Sequence, residues 1–411
     1  MTVAISYQPA DEMSFWWLGN PETPVLIGRL EFISTLRGVG LRYDANWLRH
    51  GFALSEDLPL RDQLFLPLTK DSAVGAVDDA RPDRWGERMI RTFDRPVRLS
   101  LMEYLYFAGD DRFGALGVSL SDNTYAPHVT GPLPQLPDLG SIEDSITQIF
   151  SGSPVNDQWM RLVKPGASMG GARPKALIEL AGAEWVLKFR EEGESTDTPL
   201  IEHATMTLAR GCGISVAETI ALPLRKGHAI AVRRFDRLAG KRIHSLSAAV
   251  VLRACAEDLS YPALALWLRR KGAVKSGQAA HDMRELFRRM AFNILIDNND
   301  DHEKNHVVQM DDTGCYALSP AFDVLPTGQA LGFQQMRVGA QGNESTLDNA
   351  ISEHSFFGLT RDEAAAEIAR VARCVDGWES HFKATGVSSS DLQQLAAQID
   401  RPFLRQQRLA W

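Results

Sequence analysis

The chain has 411 residues, enough for two or three domains at about 150 residues each. Its 44% hydrophobic and 23% charged residues match globular proteins and exclude a disordered, collagen-like or coiled-coil chain. Lys plus Arg number 44 against 52 Asp plus Glu, a formal charge of −8. Phosphate backbones need a surplus of cations, so any nucleic-acid contact is expected only through a local patch or a basic partner.

The four cysteines, Cys212, Cys255, Cys315 and Cys374, form no CxxC pair and are expected to be reduced, mostly buried thiols of a cytoplasmic protein. Met1 to Asp11 carry neither a basic nor an apolar leader segment, so no signal peptide is expected. No apolar run approaches the roughly 20 residues that span a bilayer, so no membrane partner is expected.

In chain order, Val25–Phe32 and Val39–Tyr43 have the alternation of strands, and Trp85–Phe93 and Leu99–Phe107 look helical. Asp122–Asp138, with Pro127, Pro132, Pro134, Pro137 and Gly131, reads as a linker or long connection. Ser141–Phe150 reads as a helix, and Ala176–Leu180 and Trp185–Phe189 as strands flanking a turn. A helix is expected after Thr198 as N-cap, with Pro199 at its first position, stopping at Gly211 or Gly213. Ala229–Phe235 is strand-like. From about Ser245 the pattern is mostly helical, clearest over His281–Ile296, whose Arg284, Arg288 and Arg289 read as a solvated face. Arg361–Arg373 and Asp391–Ile399 complete the helices. The chain therefore reads as a mixed N-terminal region, a β-rich middle and a helical C-terminal part, without internal repeats.

Three chemical motifs compete for two segments. His302-Glu303-Lys304-Asn305-His306 is a literal H-E-x-x-H, which binds zinc only when a helix stacks the two imidazoles one turn apart. Asn298, Asn299, Asp300 and Asp301 before it favour loops, and Val307–Met310 after it reads as a strand, so a helix there is disfavoured. Gly166-Ala167-Ser168-Met169-Gly170 is a literal G-x-S-x-G, but Gly171 and Pro174 would break the helix that a hydrolase nucleophile requires.

The third reading uses both segments. Phosphoryl transfer needs a glycine-rich loop, a strand lysine held by a glutamate, a base for the acceptor hydroxyl and oxygen ligands for magnesium. Gly166–Gly171 leads into the strand pair, Lys188 lies on the second strand, and Glu202 opens the next helix. Asp300 and Asn305 have the D-x-x-x-x-N spacing of a kinase catalytic loop. Val307–Met310 and Cys315–Leu318 then form a hairpin, followed by Asp323. Each element has a plain alternative: an edge-strand charge for Lys188, a helix-dipole partner for Glu202, a helix-ending loop, a hairpin turn. Their order along the chain is what favours the kinase reading.

These residues resemble the HipA-type serine/threonine kinase toxins of bacterial toxin–antitoxin systems. Ser168–Lys175 resembles that family's phosphate loop, Asn299–Asn305 its catalytic loop, Pro320–Val324 its metal segment and Arg234–Arg237 its adenine hinge. Arg81–Gly86 and Gly109–Leu116 resemble its N-terminal signatures, so the similarity covers nearly the whole chain.

The resemblance implies an α+β chain: a small N-terminal α/β domain, then a two-lobed protein-kinase-like fold with a mostly helical C-terminal lobe. The implied divisions are an N-terminal domain over 1–125, a proline-rich connection over 126–148, a kinase N-lobe over 149–240 and a C-lobe over 241–411. Asp300 would be the catalytic base, Asn305 and Asp323 the magnesium ligands and Lys188 a phosphate ligand supported by Glu202. Gly170, Gly171 and Lys175 would cover the ATP phosphates. Arg233, Phe235, His302 and Lys304 would line the nucleotide site, although some relatives carry an acidic residue at the Arg233 position. Ser168 matches a serine that relatives autophosphorylate; about −2 of added charge there would repel nucleotide phosphates.

The implied activity is an ATP- and magnesium-dependent protein kinase that acts as a toxin. Relatives phosphorylate an aminoacyl-tRNA synthetase and are neutralised by a small helix-turn-helix antitoxin, through which they reach DNA. The alternative is a non-catalytic kinase-like module acting as co-repressor or antitoxin. Lys188, Asp300, Asn305 and Asp323 are all present, which favours activity.

Overall fold

The computed structural model describes residues 7–128, 131–150 and 173–411. Ser168, Gly170, Gly171 and the G-x-S-x-G segment lie outside the described residues. The chain divides into two compact units, Met1–Val186 with Asp236–Leu246, and Leu187–Phe235 with Ser247–Trp411.

The first unit is built on an antiparallel sheet of β1 (Glu12–Trp17), β2 (Val25–Ile33), β3 (Gly38–Tyr43), β4 (Leu64–Phe65) and β5 (Leu116–Ser119), ordered β4-β3-β2-β1-β5. The two strands expected from alternation are β2 and β3. Between β1 and β5 the pairing joins Phe15 to Val118, and both strands are buried along most of their length. Strands covered on both faces lose the alternating pattern, which is why neither was read from sequence. Gly28 is required by packing: a Cβ there would sit 2.1 Å from the Arg42 carbonyl oxygen on β3.

Helix Arg84–Met89 continues as a wider π turn, Ile90–Asp94, over the segment expected to be one helix. Asp83 caps it, its Oδ1 accepting from the Gly86 N–H at 2.7 Å. The other Asp83 oxygen takes the buried Lys175 ammonium, and the Trp85 indole donates to the Lys175 carbonyl at 2.8 Å. The second signature is equally structural. Buried Arg112 donates to the carbonyls of Ala80, Leu105 and Gly109, while Asp236 accepts the Gly114 N–H at 2.8 Å. Arg237 donates to the Gly114 and Arg112 carbonyls, each at 2.9 Å. The proline-rich connection is anchored where the Pro134 carbonyl accepts the Glu179 N–H at 2.8 Å. Lys175–Leu180 and Ala183–Lys188 form the two expected strands around a turn at Ala181 and Gly182.

The second unit is mostly helical. Helix Thr198–Gly211 carries Pro199 in its first turn, but its N-cap is Asp197 rather than Thr198. The strand expected over Ala229–Phe235 spans His228–Arg233 and pairs antiparallel with Thr219–Pro223. Helices Ala248–Ala254, Tyr261–Lys271 and Gln278–Leu295 follow, then the hairpin Val307–Met310/Tyr316–Leu318. Arg361–Val375, Trp378–Thr385, Ser389–Ile399 and Pro402–Leu409 close the chain.

The Gln278–Leu295 helix is the centre of this unit, with Leu286, Phe287, Met290, Ala291, Ile294 and Leu295 fully buried. Burying each of the large ones, all but Ala291, contributes about 1.5–3 kcal/mol. Its arginines correct the sequence expectation. Arg288 and Arg289 are buried: Arg288 pairs with Glu367 at 2.8 Å, and Arg289 with Glu285 and the Ser319 carbonyl. Only Arg284 keeps substantial exposure, beside Glu363. A neighbouring helix supplies Glu367, a partner that one helix's periodicity cannot reveal. The cysteine expectation is corrected too. Cys212, at the end of helix Thr198–Gly211, is disulfide-bonded to Cys374 with Cα atoms 5.6 Å apart; Cys255 and Cys315 stand outside any disulfide and are half-buried.

Candidate functional site

The site is assembled within the second unit, around a buried lysine. Lys188 ends its strand and places its Nζ 2.7 Å from Glu202 Oε1 and 2.7 Å from Asp323 Oδ1. Glu202 lies in the first turns of helix Thr198–Gly211 and is wholly buried, while Asp323 keeps partial exposure. Burial pulls the Lys188 ammonium down, but Asp323 and then Glu202 outweigh it and hold it above the usual lysine value.

Asp323 adopts the left-handed φ of +58°, a conformation that residues other than glycine visit only singly. The segment before it is fixed by backbone bonds: the Ala321 N–H donates to the Ser215 carbonyl at 2.8 Å, and the Ala217 N–H to the Ala321 carbonyl at 2.9 Å.

The acid loop begins where helix Gln278–Leu295 stops. Asp297 turns left-handed at φ +61°, and Arg401 grips its carboxylate with two bonds of 2.8 and 3.0 Å. Asp300 comes next and is exposed, suited to meet a ligand. Its carbonyl accepts from Asn305 Nδ2 at 3.3 Å, closing the loop across a single tight turn, Glu303–Asn305. His302 starts that turn, its Nδ1 accepting the Lys304 N–H at 3.2 Å. Lys304 is exposed.

Beneath the loop, buried Asp301 accepts from the Tyr261 hydroxyl and from His306 Nε2 at 2.8 Å. Burial pushes Asp301 up, yet His306 and the hydroxyl hold it below the usual carboxylate value. Burial and the Asp301 charge drive the Tyr261 hydroxyl well above its own. Asn305 lines one crevice with Asp301, His306, Ala321 and Phe322. Its Oδ1 is buried and has no hydrogen-bond partner among the described residues. An uncompensated carbonyl oxygen costs about 1–3 kcal/mol unless something binds it.

A family model for the HipA-like C-terminal domain matches residues 167–378, more than half the chain, and one for the HipA N-terminal domain matches residues 24–119. The chain belongs to the HipA family. Its fold agrees: the HipA of Shewanella oneidensis MR-1, solved as a toxin–antitoxin system with HipB and operator DNA, superposes with a TM-score of 0.65 at 18% identity. That alignment covers 97% of this chain and 96% of the other. The α+β expectation, an N-terminal sheet domain and a largely helical C-terminal region, is therefore met.

A protein of Sinorhizobium fredii named "Putative kinase Y4dM" is 30% identical over 199 residues, a match spanning 46% of each chain and so about half the relative's length. The Helicobacter pylori kinase CtkA aligns over 56% of this chain and 88% of its own at 12% identity. Its TM-score of 0.43 is too low for a shared fold to follow.

Other residues singled out in this HipA-family chain fall as follows. The Phe235 carbonyl accepts from Gln309 Nε2 at 3.1 Å, and its ring lies 5.3 Å from that of Phe322. Arg233 is exposed and pairs with Glu218 at 3.0 Å. Lys175 lies in the first unit, where Asp83 holds its ammonium. Sequence reasoning missed Asp297, Tyr261, Thr327 and Arg401. Their side chains act on backbone groups or on partners far along the chain, so no local motif marks them.

Proposed function

We propose that this chain is an ATP- and magnesium-dependent serine/threonine protein kinase, the toxin of a toxin–antitoxin pair. The observation that carries the reading is Lys188 shared by Glu202 and Asp323 at 2.7 Å each. A strand lysine fixed by a helix glutamate, next to an acid in a left-handed turn, is the arrangement that phosphoryl transfer needs. Lys188 binds nucleotide phosphates, and Glu202 fixes its position. Exposed Asp300 orients the acceptor hydroxyl and takes its proton.

The donor set suits magnesium. Asn305 supplies a buried carbonyl oxygen without a partner, Asp323 a carboxylate, and both are hard oxygen ligands. Magnesium bound there neutralises charge on the transferring phosphate. Arg233, Phe235, His302 and Lys304 belong to the nucleotide site in this reading, with Gly170 and Gly171 over the phosphates and Ser168 as an autophosphorylation site. The protein substrate is proposed to be an aminoacyl-tRNA synthetase, and the partner a small helix-turn-helix antitoxin that carries the pair to DNA. The Shewanella complex, which contains HipB and operator DNA, supports that partner.

The test is incubation of the purified chain with γ-labelled ATP and magnesium, alone and with a cell lysate, beside Asp300→Asn. Label on the chain or on a lysate protein, lost in the variant, is expected. A wild type that transfers no label in either setting refutes the kinase reading and leaves a non-catalytic binding module.

A further inference from the structure

We propose that Thr327 is a positioning residue that keeps the Asp300 loop and the Asp323 segment in register. The inference deepens the kinase reading and rests on it.

Thr327 lies four residues beyond Asp323. Its N–H and its hydroxyl both donate to the Asp297 carbonyl, each at 3.1 Å. The same hydroxyl accepts the N–H of Asn299, again at 3.1 Å. One side chain therefore donates to the start of the acid loop and accepts from the residue immediately before Asp300. A hydroxyl is among the few side-chain groups that can do both from one atom.

The two ends of this link are firm. Asp297 sits at a left-handed helix end, where its carbonyl leaves the helical ladder and must find a donor elsewhere. Its carboxylate is pinned by Arg401. The Asp323 segment is held at its near end by the Ala321 backbone bonds to Ser215 and Ala217. Between those bonds and Thr327 the chain runs only from Phe322 to Pro326, with Asp323 in its own left-handed turn. Thr327 is thus the far anchor of the segment that presents Asp323, and that anchor is the loop that presents Asp300. Releasing it lets two acids that serve one transfer, Asp300 on the acceptor hydroxyl and Asp323 on magnesium, drift apart, and a shift of about 1 Å costs about a hundredfold in rate.

Thr327→Val keeps the side-chain volume and the backbone bond but removes both hydroxyl bonds. Thr327→Ser keeps the hydroxyl. The full-length chain is assayed three ways: transfer from γ-labelled ATP with magnesium titrated, binding of a fluorescent ATP analogue without magnesium, and hydrogen exchange at the Asn299 amide. In Thr327→Val, turnover is expected to fall about 10- to 100-fold and the magnesium half-saturation point to rise. Analogue binding stays within about twofold while the Asn299 amide exchanges about tenfold faster. Thr327→Ser restores turnover and amide protection, which a space-filling role would not require. Should the valine variant fail to fold, Thr327→Ala removes the same hydroxyl and takes its place. Wild-type turnover in Thr327→Val overturns the proposal, and so does a serine variant as impaired as the valine one. A wild type that transfers no phosphate overturns the kinase reading instead. Exchange then decides the register role: an Asn299 amide unchanged by Thr327→Val removes it, and one that loosens and is rescued by serine upholds it.

Discussion

Lys188→Met separates what the buried cluster does for stability from what it does for chemistry. Two carboxylates lie 2.7 Å from one ammonium, and at an effective dielectric near 20 each contact has a gross Coulomb energy of about 6 kcal/mol. Most of that is offset by removing the charges from water. The raised lysine value shows that attraction wins. By linkage its contribution is complete below the ordinary lysine value and is lost only as pH rises through the raised one, so stability from this source is flat at neutral pH.

Methionine fills the lysine's space but takes the ammonium away from the Glu202 carboxylate, whose side chain is 1% exposed. Breaking a buried pair from one side costs about 3–5 kcal/mol. Replacing both partners, Lys188→Met with Glu202→Met, removes the buried carboxylate as well and should recover at least about 2 kcal/mol of that loss. Transfer from labelled ATP should not recover: loss of one preorganised electrostatic group costs about 100- to 1,000-fold, and the double variant lacks it equally. Urea unfolding read beside label transfer gives both quantities on the same samples. A single variant as stable as wild type, or a double variant no better than the single, refutes the electrostatic account. Near-normal transfer in Lys188→Met refutes the phosphate role.

Two further predictions concern structure away from the Lys188 cluster. His244 is buried against Trp17 and Phe52, donates Nε2–H to the Leu54 carbonyl at 2.8 Å, and is pushed down to about 4 by burial. A depressed value means that its neutral form is favoured in the fold. Its contribution is full above the ordinary 6.5 and is lost as pH falls towards 4, about 3 kcal/mol in all. His244→Gln, which keeps the donor without the titration, should flatten unfolding free energy between those pH values; an unchanged slope refutes this. The Cys212–Cys374 disulfide closes a sequence separation of 162, so reductant, or Cys374→Ser, should lower stability by about 3–5 kcal/mol. Identical urea midpoints with and without reductant would sink it.

Where a pattern is local, the sequence is readable. The Gln278–Leu295 helix shows its apolar stripe, β2 and β3 show their alternation, and Val307–Met310 appears with its bounds intact. The misses share a cause: they are set by what lies opposite. Strands β1 and β5 are covered on both faces, so their pattern is a short apolar run. Arg288 and Arg289 look solvated until the Arg361–Val375 helix brings Glu367 and the Ser319 carbonyl arrives from another segment. Cys212 and Cys374 meet only because two helices pack. At the site, the acids and the lysine are chemically conspicuous at fixed spacings, and the fold brings Lys188, Glu202 and Asp323 together. Thr327 and Arg401 are ordinary residues whose contribution is a bond to a backbone carbonyl or to a carboxylate about a hundred positions away, and no spacing encodes that.

The H-E-x-x-H segment shows why a motif must be read through its backbone. Zinc hydrolysis would need His302 and His306 stacked on an α-helix, with Glu303 beside the metal. Here both histidines are extended, with ψ of +169° and +121°, and only one tight turn separates them. His302 caps that turn, His306 is committed to buried Asp301, and Glu303 faces Arg253 at 3.2 Å. The same turn lets Asn305 fold back onto the Asp300 carbonyl while its Oδ1 stays without a partner among the described residues, on a side chain that lines one crevice with Phe322. The geometry that removes the zinc triad is thus the geometry that leaves a buried, uncommitted oxygen on Asn305. Straightening the turn into an α-helix would rebuild the first only by dismantling the second.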